Sequence, residues 1–125
     1  MITIARVVPI HIHAAVETLV GPLLMFAPFA LDFGPSAMIV SFLLGVLVIA
    51  LALTTSATLT PEGARRSSFR VSAHAEMDLG ITLATAACAI GFGIAGEAVA
   101  AGFLGSVAIA LSLLGMTTRY TTIRA

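Results

Sequence analysis

Charge is what this sequence has least of. Only 10% of its 125 residues are Asp, Glu, Lys or Arg, whereas a soluble domain carries about 25%. A small soluble fold has too much surface for its volume to hide a chain that is 59% hydrophobic. The shortage of charge therefore excludes an ordinary water-soluble domain and requires an apolar solvent. Lysine and tryptophan are absent, and six arginines balance six acids. A net charge of zero gives no basic footprint for a nucleic-acid partner. The single cysteine, Cys88, sits in an apolar run, so neither an intramolecular disulfide nor a paired-cysteine metal site is available. Cys88 reads as a small hydrophobe in a helix. Also missing are a Ser/His/Asp or Cys/His arrangement, a phosphate-binding glycine loop and a zinc-protease motif, so no enzyme is expected. The N-terminus lacks the pattern of a cleaved leader: Arg6 is its only basic residue, and Pro9, His11, His13 and Glu17 interrupt the apolar stretch behind it. The chain is expected to be mature from Met1.

What is present is four apolar runs, each near the ~20 residues that a helix needs to cross a bilayer core. They cover about 10–31, 36–57, 73–94 and 97–117. Apolar and polar residues do not alternate, which excludes membrane strands, and helices satisfy their own backbone groups in lipid. Gly34-Pro35 breaks the first two runs apart, with Pro35 or Ser36 opening the second helix. Gly91, Gly93 and Gly96 are expected to punctuate the third turn, with Glu97 in the first turn of the fourth helix. Pro22 and Pro28 lie inside the first helix and each deletes a backbone donor, which predicts a kink. Thr60-Pro61-Glu62-Gly63 reads as a turn.

All six arginines fall on one side of these spans. Arg6 precedes the first, Arg65, Arg66 and Arg70 lie between the second and third, and Arg119 and Arg124 follow the fourth. The positive-inside rule then places both termini and the central connection in the cytoplasm. Arg65, Arg66 and Arg70 set this topology and are candidates for lipid headgroup contact, with the segment from Leu59 to Val71 either solvated or lying on the membrane surface.

A shift of 61 residues superimposes the two halves without a gap. His13-Ala14 falls on His74-Ala75, Glu17 on Asp78, Phe42-Leu43 on Phe103-Leu104 and Val46 on Val107. Both halves enter from the same side, so the repeat is parallel, related by an axis along the membrane normal. The fold expected is an all-α membrane protein of four transmembrane helices in two tandem hairpins. These make one membrane domain, 1–125, with a first hairpin at 10–58, a cytoplasmic connection at 59–72 and a second hairpin at 73–118. Ala37, Ser41 and Gly45 form a row of small residues on the second helix, and Ala98, Gly102 and Ser106 form the shifted row on the fourth. Such rows let helix backbones approach closely in lipid. The second and fourth helices are expected to cross along them, within one chain or between copies.

The segment VETLVGPLLMFAPFALDFG, from Val16 to Gly34, resembles the SPW-repeat family of small integral membrane proteins. Glu17 and Gly21 stand at that family's early polar and glycine positions, and Ala27-Pro28-Phe29 replaces its Ser-Pro-Trp tripeptide. The second half keeps Asp78 but has Cys88-Ala89-Ile90 near the tripeptide position, so the likeness there runs through the internal repeat. The resemblance implies a bacterial-type protein of the cell membrane built from paired hairpins, and it brings no established activity with it.

Ionisable residues inside a span are costly and mark candidate sites. His13 and Glu17, and likewise His74 and Asp78, are four residues apart and share a helix face. Thr82 and Thr85 extend the face of the second pair, while His11 and Glu76 lie on other faces. Three readings follow. The four residues pair between helices and fix the register of a bundle that acts by assembly, as a homo-oligomer or as an accessory subunit of a membrane complex. They bind or relay a proton, a cation or a divalent transition metal. Or the histidines are axial ligands to haem or a pigment. No motif identifies a cofactor, and none is expected. The partners expected are the bilayer, a second copy or other membrane subunits.

Overall fold

The structure is a computed structural model that describes residues 6–58 and 67–119. Four helices account for nearly all of them: α1 (Ile10–Ala30), α2 (Pro35–Thr58), α3 (Ser67–Ile94) and α4 (Ala98–Thr117). A two-residue strand β1 (Val8–Pro9) precedes α1 and pairs in parallel with β2 (Thr118–Arg119), which follows α4. All four helices are long and apolar enough to cross a membrane. The 21 residues of α1 make a helix of about 31 Å, matching a hydrocarbon core of about 30 Å.

Both hairpin turns end their first helix in the same way. The Phe33 N–H donates to the Pro28 carbonyl at 3.0 Å, with Asp32 between them at φ 55°. At the other turn the Glu97 N–H donates to Phe92 and the Gly96 N–H to Gly93, with Gly96 at φ 88°. This is the Schellman closure, which needs one left-handed residue after the helix. Gly91 and Gly93 are therefore inside α3 rather than in its turn, and only Gly96 serves there. Glu97 is the N-cap of α4, not a first-turn residue: its carbonyl accepts the first helical bond, from Ala101. Its carboxylate accepts from the Gly34 N–H at 3.2 Å and so ties the two turns together.

The apolar part of α3 is Ala73–Ile94, but the helix itself begins six residues earlier, at Ser67. Composition marks where lipid begins, and a helix is free to continue past it into water. Arg70 consequently belongs to α3, and the connection expected over 59–72 is shorter. Arg65 and Arg66 lie outside the described residues, as do Thr60-Pro61-Glu62-Gly63 and Arg124.

The helices pack in the ring order α1, α2, α3, α4, with α4 meeting α1 only marginally. The two first helices, α1 and α3, thus stand diagonally across the bundle. Its core is one cluster of Leu24, Leu44, Val48, Leu104, Val107 and Leu111, and a second nearer the turns of Phe33, Ala37 and Ala100. Phe33 meets Phe103 edge-on.

The first hairpin closes on glycine. A Cβ on Gly45 would lie 2.5 Å from the Gly21 carbonyl oxygen and 2.6 Å from Met25 Cγ, so only glycine allows this crossing. Ser41 is fully buried beside it and donates to the Leu24 carbonyl at 2.6 Å. That carbonyl is the one that Pro28, four residues on, leaves without a donor. α1 stays helical through both prolines, and α2 supplies the hydrogen bond that the second of them deletes.

The small-residue rows do not meet each other within the chain. Gly45 and Ser41 face α1 in their own hairpin. Ala98, Gly102 and Ser106 face outward, and a Cβ on Gly102 would meet nothing within 4 Å. The reason is a slip in the repeat. In α1 and α3 the 61-residue shift carries buried His13 to His74 and Leu24 to Thr85. In α2 and α4 the burial pattern repeats at 63 instead: Ala37 to Ala100, Ser41 to Leu104, Leu44 to Val107, Gly45 to Ala108 and Val48 to Leu111. The second hairpin has gained length before its turn, which rotates its fourth helix relative to the gapless alignment. Ala101 and Gly105 take the close contacts with α3 instead, near Gly93 and Ala89.

Candidate metal centre

The diagonal placement of α1 and α3 brings both His/acid pairs to the bundle axis. Glu17 is the eighth residue of α1, roughly 10 Å in from the end where Arg6 lies. His13 Nε2 is 3.0 Å from Glu17 Oε1 and 2.9 Å from Asp78 Oδ2; His74 Nε2 is 3.3 Å from Asp78 Oδ2 and 3.6 Å from Glu17 Oε2. Each imidazole therefore touches its own helix's carboxylate and the other's. One ligand atom from each of the four residues can be chosen so that all lie within 4.8 Å of one another. The side chains of His13, Glu17 and His74 are only 2%, 3% and 5% exposed, and that of Asp78 is 11% exposed. The rings stand edge-to-face with centroids 5.7 Å apart.

Two threonines orient the rings, and they come from the opposite hairpins. His13 Nδ1 is 2.6 Å from Thr118 Oγ1, and His74 Nδ1 is 3.3 Å from Thr54 Oγ1. Each threonine hydroxyl gives its one proton to a backbone carbonyl, Thr118 to Leu114 and Thr54 to Leu51. Each Oγ1 is then an acceptor toward the ring, so Nδ1 carries the hydrogen. Both Nε2 atoms consequently turn their remaining valence toward the carboxylates. A metal-binding histidine is characteristically held this way, with its second nitrogen donating to an outer partner. The two threonines were not foreseen from the sequence. Their signal is positional: Thr54, in the last turns of α2, matches Thr117-Thr118, where α4 gives way to β2, at a shift of 63 to 64 residues.

Two carboxylates buried side by side need about two positive charges between them. A divalent cation supplies both, as do two protons. The spacing is near that of a metal site but wider. Tetrahedral zinc with bonds of about 2.0–2.1 Å separates its ligand atoms by roughly 3.3 Å, whereas the nitrogen–oxygen separations run from 2.9 to 3.6 Å with both Glu17 oxygens used. A set of one atom per residue spreads up to 4.8 Å, so binding would draw the four side chains together. Glu17 Oε2 is buried without a hydrogen-bond donor, and a cation at the centre would satisfy it. Both Nε2 atoms are directed at shared carboxylates, an arrangement that offers no support for the axial-ligand role.

Of the other residues singled out, Thr82 borders a small cavity beside the cluster. Thr85 is buried but donates to the Ile81 carbonyl of its own helix. His11 and Glu76 are exposed and take no part. Cys88 packs beside the main core cluster. The chain is a small multi-pass membrane protein with a buried His/Glu/Asp cluster, and no family model, curated protein or solved structure matches it.

Proposed function

We propose that this protein binds a divalent transition metal of the zinc class inside the membrane, with His13, Glu17, His74 and Asp78 as ligands. The observation that carries this reading is the convergence of two threonine-oriented imidazoles and two buried carboxylates on one point from diagonal helices. Imidazole and carboxylate together suit zinc and its neighbours, not calcium or magnesium. The arginine distribution supports a cytoplasmic placement of the end that carries the site, in a cell membrane of bacterial type. The SPW-like positions have roles consistent with this reading: Glu17 is a ligand, Gly21 lies at the α1–α2 crossing, and Pro28 accounts for the position of Ser41.

Zinc titration of detergent-purified protein against a competing chelator tests the reading. One zinc per chain is expected. His13→Ala or His74→Ala should weaken binding by more than about 100-fold, beyond the effect of losing an outer-shell partner. Equal binding by wild type and by the double variant overturns it.

A second reading is assembly, supported by the outward row of Ala98, Gly102 and Ser106 on α4, which offers another membrane helix a close approach. Gly102→Leu should then dissociate the oligomer in cross-linking and light scattering while leaving zinc binding intact. An unchanged oligomer, or a monomeric wild type, removes this reading.

A further inference from the structure

On the basis of the metal-site reading, we infer that the site is loaded and emptied sideways, through one groove between α3 and α4, and that the protein holds its cation without conducting it across the membrane. A cavity of about 10 Å³ lies against His13, Glu17 and Asp78, room for a single water-sized species. A much larger groove of about 360 Å³ opens beside it, with Ala75 and Leu79 on the α3 wall, Ser112 and Met116 on the α4 wall, and Arg6 at its edge. The two spaces share Asp78, Thr82 and Leu111. Asp78 is also the most exposed of the four ligands, at 11% against 2–5% for the others. The port and the exposed ligand therefore coincide.

Among the described residues, two other directions from the site are closed by packing. Along the axis toward the hairpin turns, Leu24 and Leu104 are fully buried, with Leu44 and Val48 around them. Apolar packing of this kind is dry and gives a hydrated cation nothing to exchange its waters for. Toward the near end, Ile10 and Thr118, which is itself paired with Val8, are buried. Among the described residues the lateral groove is the opening that reaches the site, and it lies at the end of the bundle that carries Arg6.

The test uses full-length protein in lipid vesicles, with zinc as the probe. Ser112→Cys places a thiol on the groove wall, and a bulky disulfide-forming reagent added after folding blocks it reversibly. We expect labelling to slow zinc loading and chelator-driven release together, by about tenfold or more, as for binding that must await a rearrangement, with the equilibrium affinity kept within about twofold. Reductant should restore both rates. The same treatment of the parent chain, whose partly buried Cys88 packs beside the core away from the groove lining, provides the control and should leave both rates unchanged. Labelled protein with unchanged rates overturns the route. Zinc appearing inside the vesicles faster than in protein-free ones overturns the one-sided claim while leaving the metal site standing. Absence of any zinc binding overturns the metal-site reading itself.

Discussion

Ser41→Ala isolates the most specific packing claim, that α2 supplies a hydrogen bond which Pro28 removes from α1. Ser41 Oγ donates to the Leu24 carbonyl at 2.6 Å in a fully buried position. Removing the hydroxyl leaves that carbonyl with neither Pro28 nor Ser41 as a donor. A buried unsatisfied group costs about 1–3 kcal/mol, and side-chain bonds between membrane helices measure about 0.6–1.7 kcal/mol. A loss of about 1.5 kcal/mol is therefore expected. In a Pro28→Ala background, residue 28 regains an N–H four residues after Leu24, and Ser41→Ala should then cost under about 0.5 kcal/mol. The void left by the proline ring is common to both arms and cancels in the cycle. Equilibrium unfolding in mixed micelles, followed by helical circular dichroism, measures all four variants. A coupling of about 1 kcal/mol supports the compensation. Equal costs of Ser41→Ala in both backgrounds refute it, and Ser41 would then be only a small residue in a tight crossing.

Further outcomes follow from single contacts. Thr118→Val and Thr54→Val should each weaken zinc binding by about 10–100-fold, since each removes the acceptor that orients a histidine; competition titration reads this, and unchanged affinity would show that packing alone holds the rings. Gly45→Leu should destabilise the first hairpin by about 1–3 kcal/mol or more through collision with Gly21 and Met25, whereas Gly102→Leu should leave unfolding of the monomer, at detergent excess, unchanged; equal effects there would contradict the assigned faces. Glu97→Ala removes the carboxylate that accepts from Gly34 and should cost about 1.5–3 kcal/mol, the range for a hydrogen bond to a charged group, read by the same unfolding assay.

The four spans were legible because lipid imposes a composition that few other environments tolerate. The cluster was legible in part. Pairing His13 with Glu17 and His74 with Asp78 at one register singled out four residues that the structure brings together, because α1 and α3 keep the 61-residue shift. That the pairs meet depends on the ring order of helices, which no local pattern encodes. The small-residue rows do not meet within the chain, for a different reason. A net gain of two residues across the second turn, three before it and one fewer after, rotates α4 by about 200°, at 100° per residue, so Ala98, Gly102 and Ser106 face out while Ala100, Leu104 and Ala108 face in. Apolar residues around the whole helix conceal such a slip, since any face reads as a possible core. Ser41 and the two threonines were invisible as partners because hydrogen bonds to another helix's carbonyl or ring leave no spacing signature.

The most direct test of the central claim is zinc K-edge X-ray absorption on the zinc-loaded, detergent-purified protein. The account predicts four nitrogen and oxygen neighbours at about 2.0–2.1 Å, with outer-shell scattering from two imidazoles that drops to one in His74→Ala. A sulfur neighbour, a six-coordinate oxygen shell, or a spectrum unchanged by the loss of His74 would contradict it.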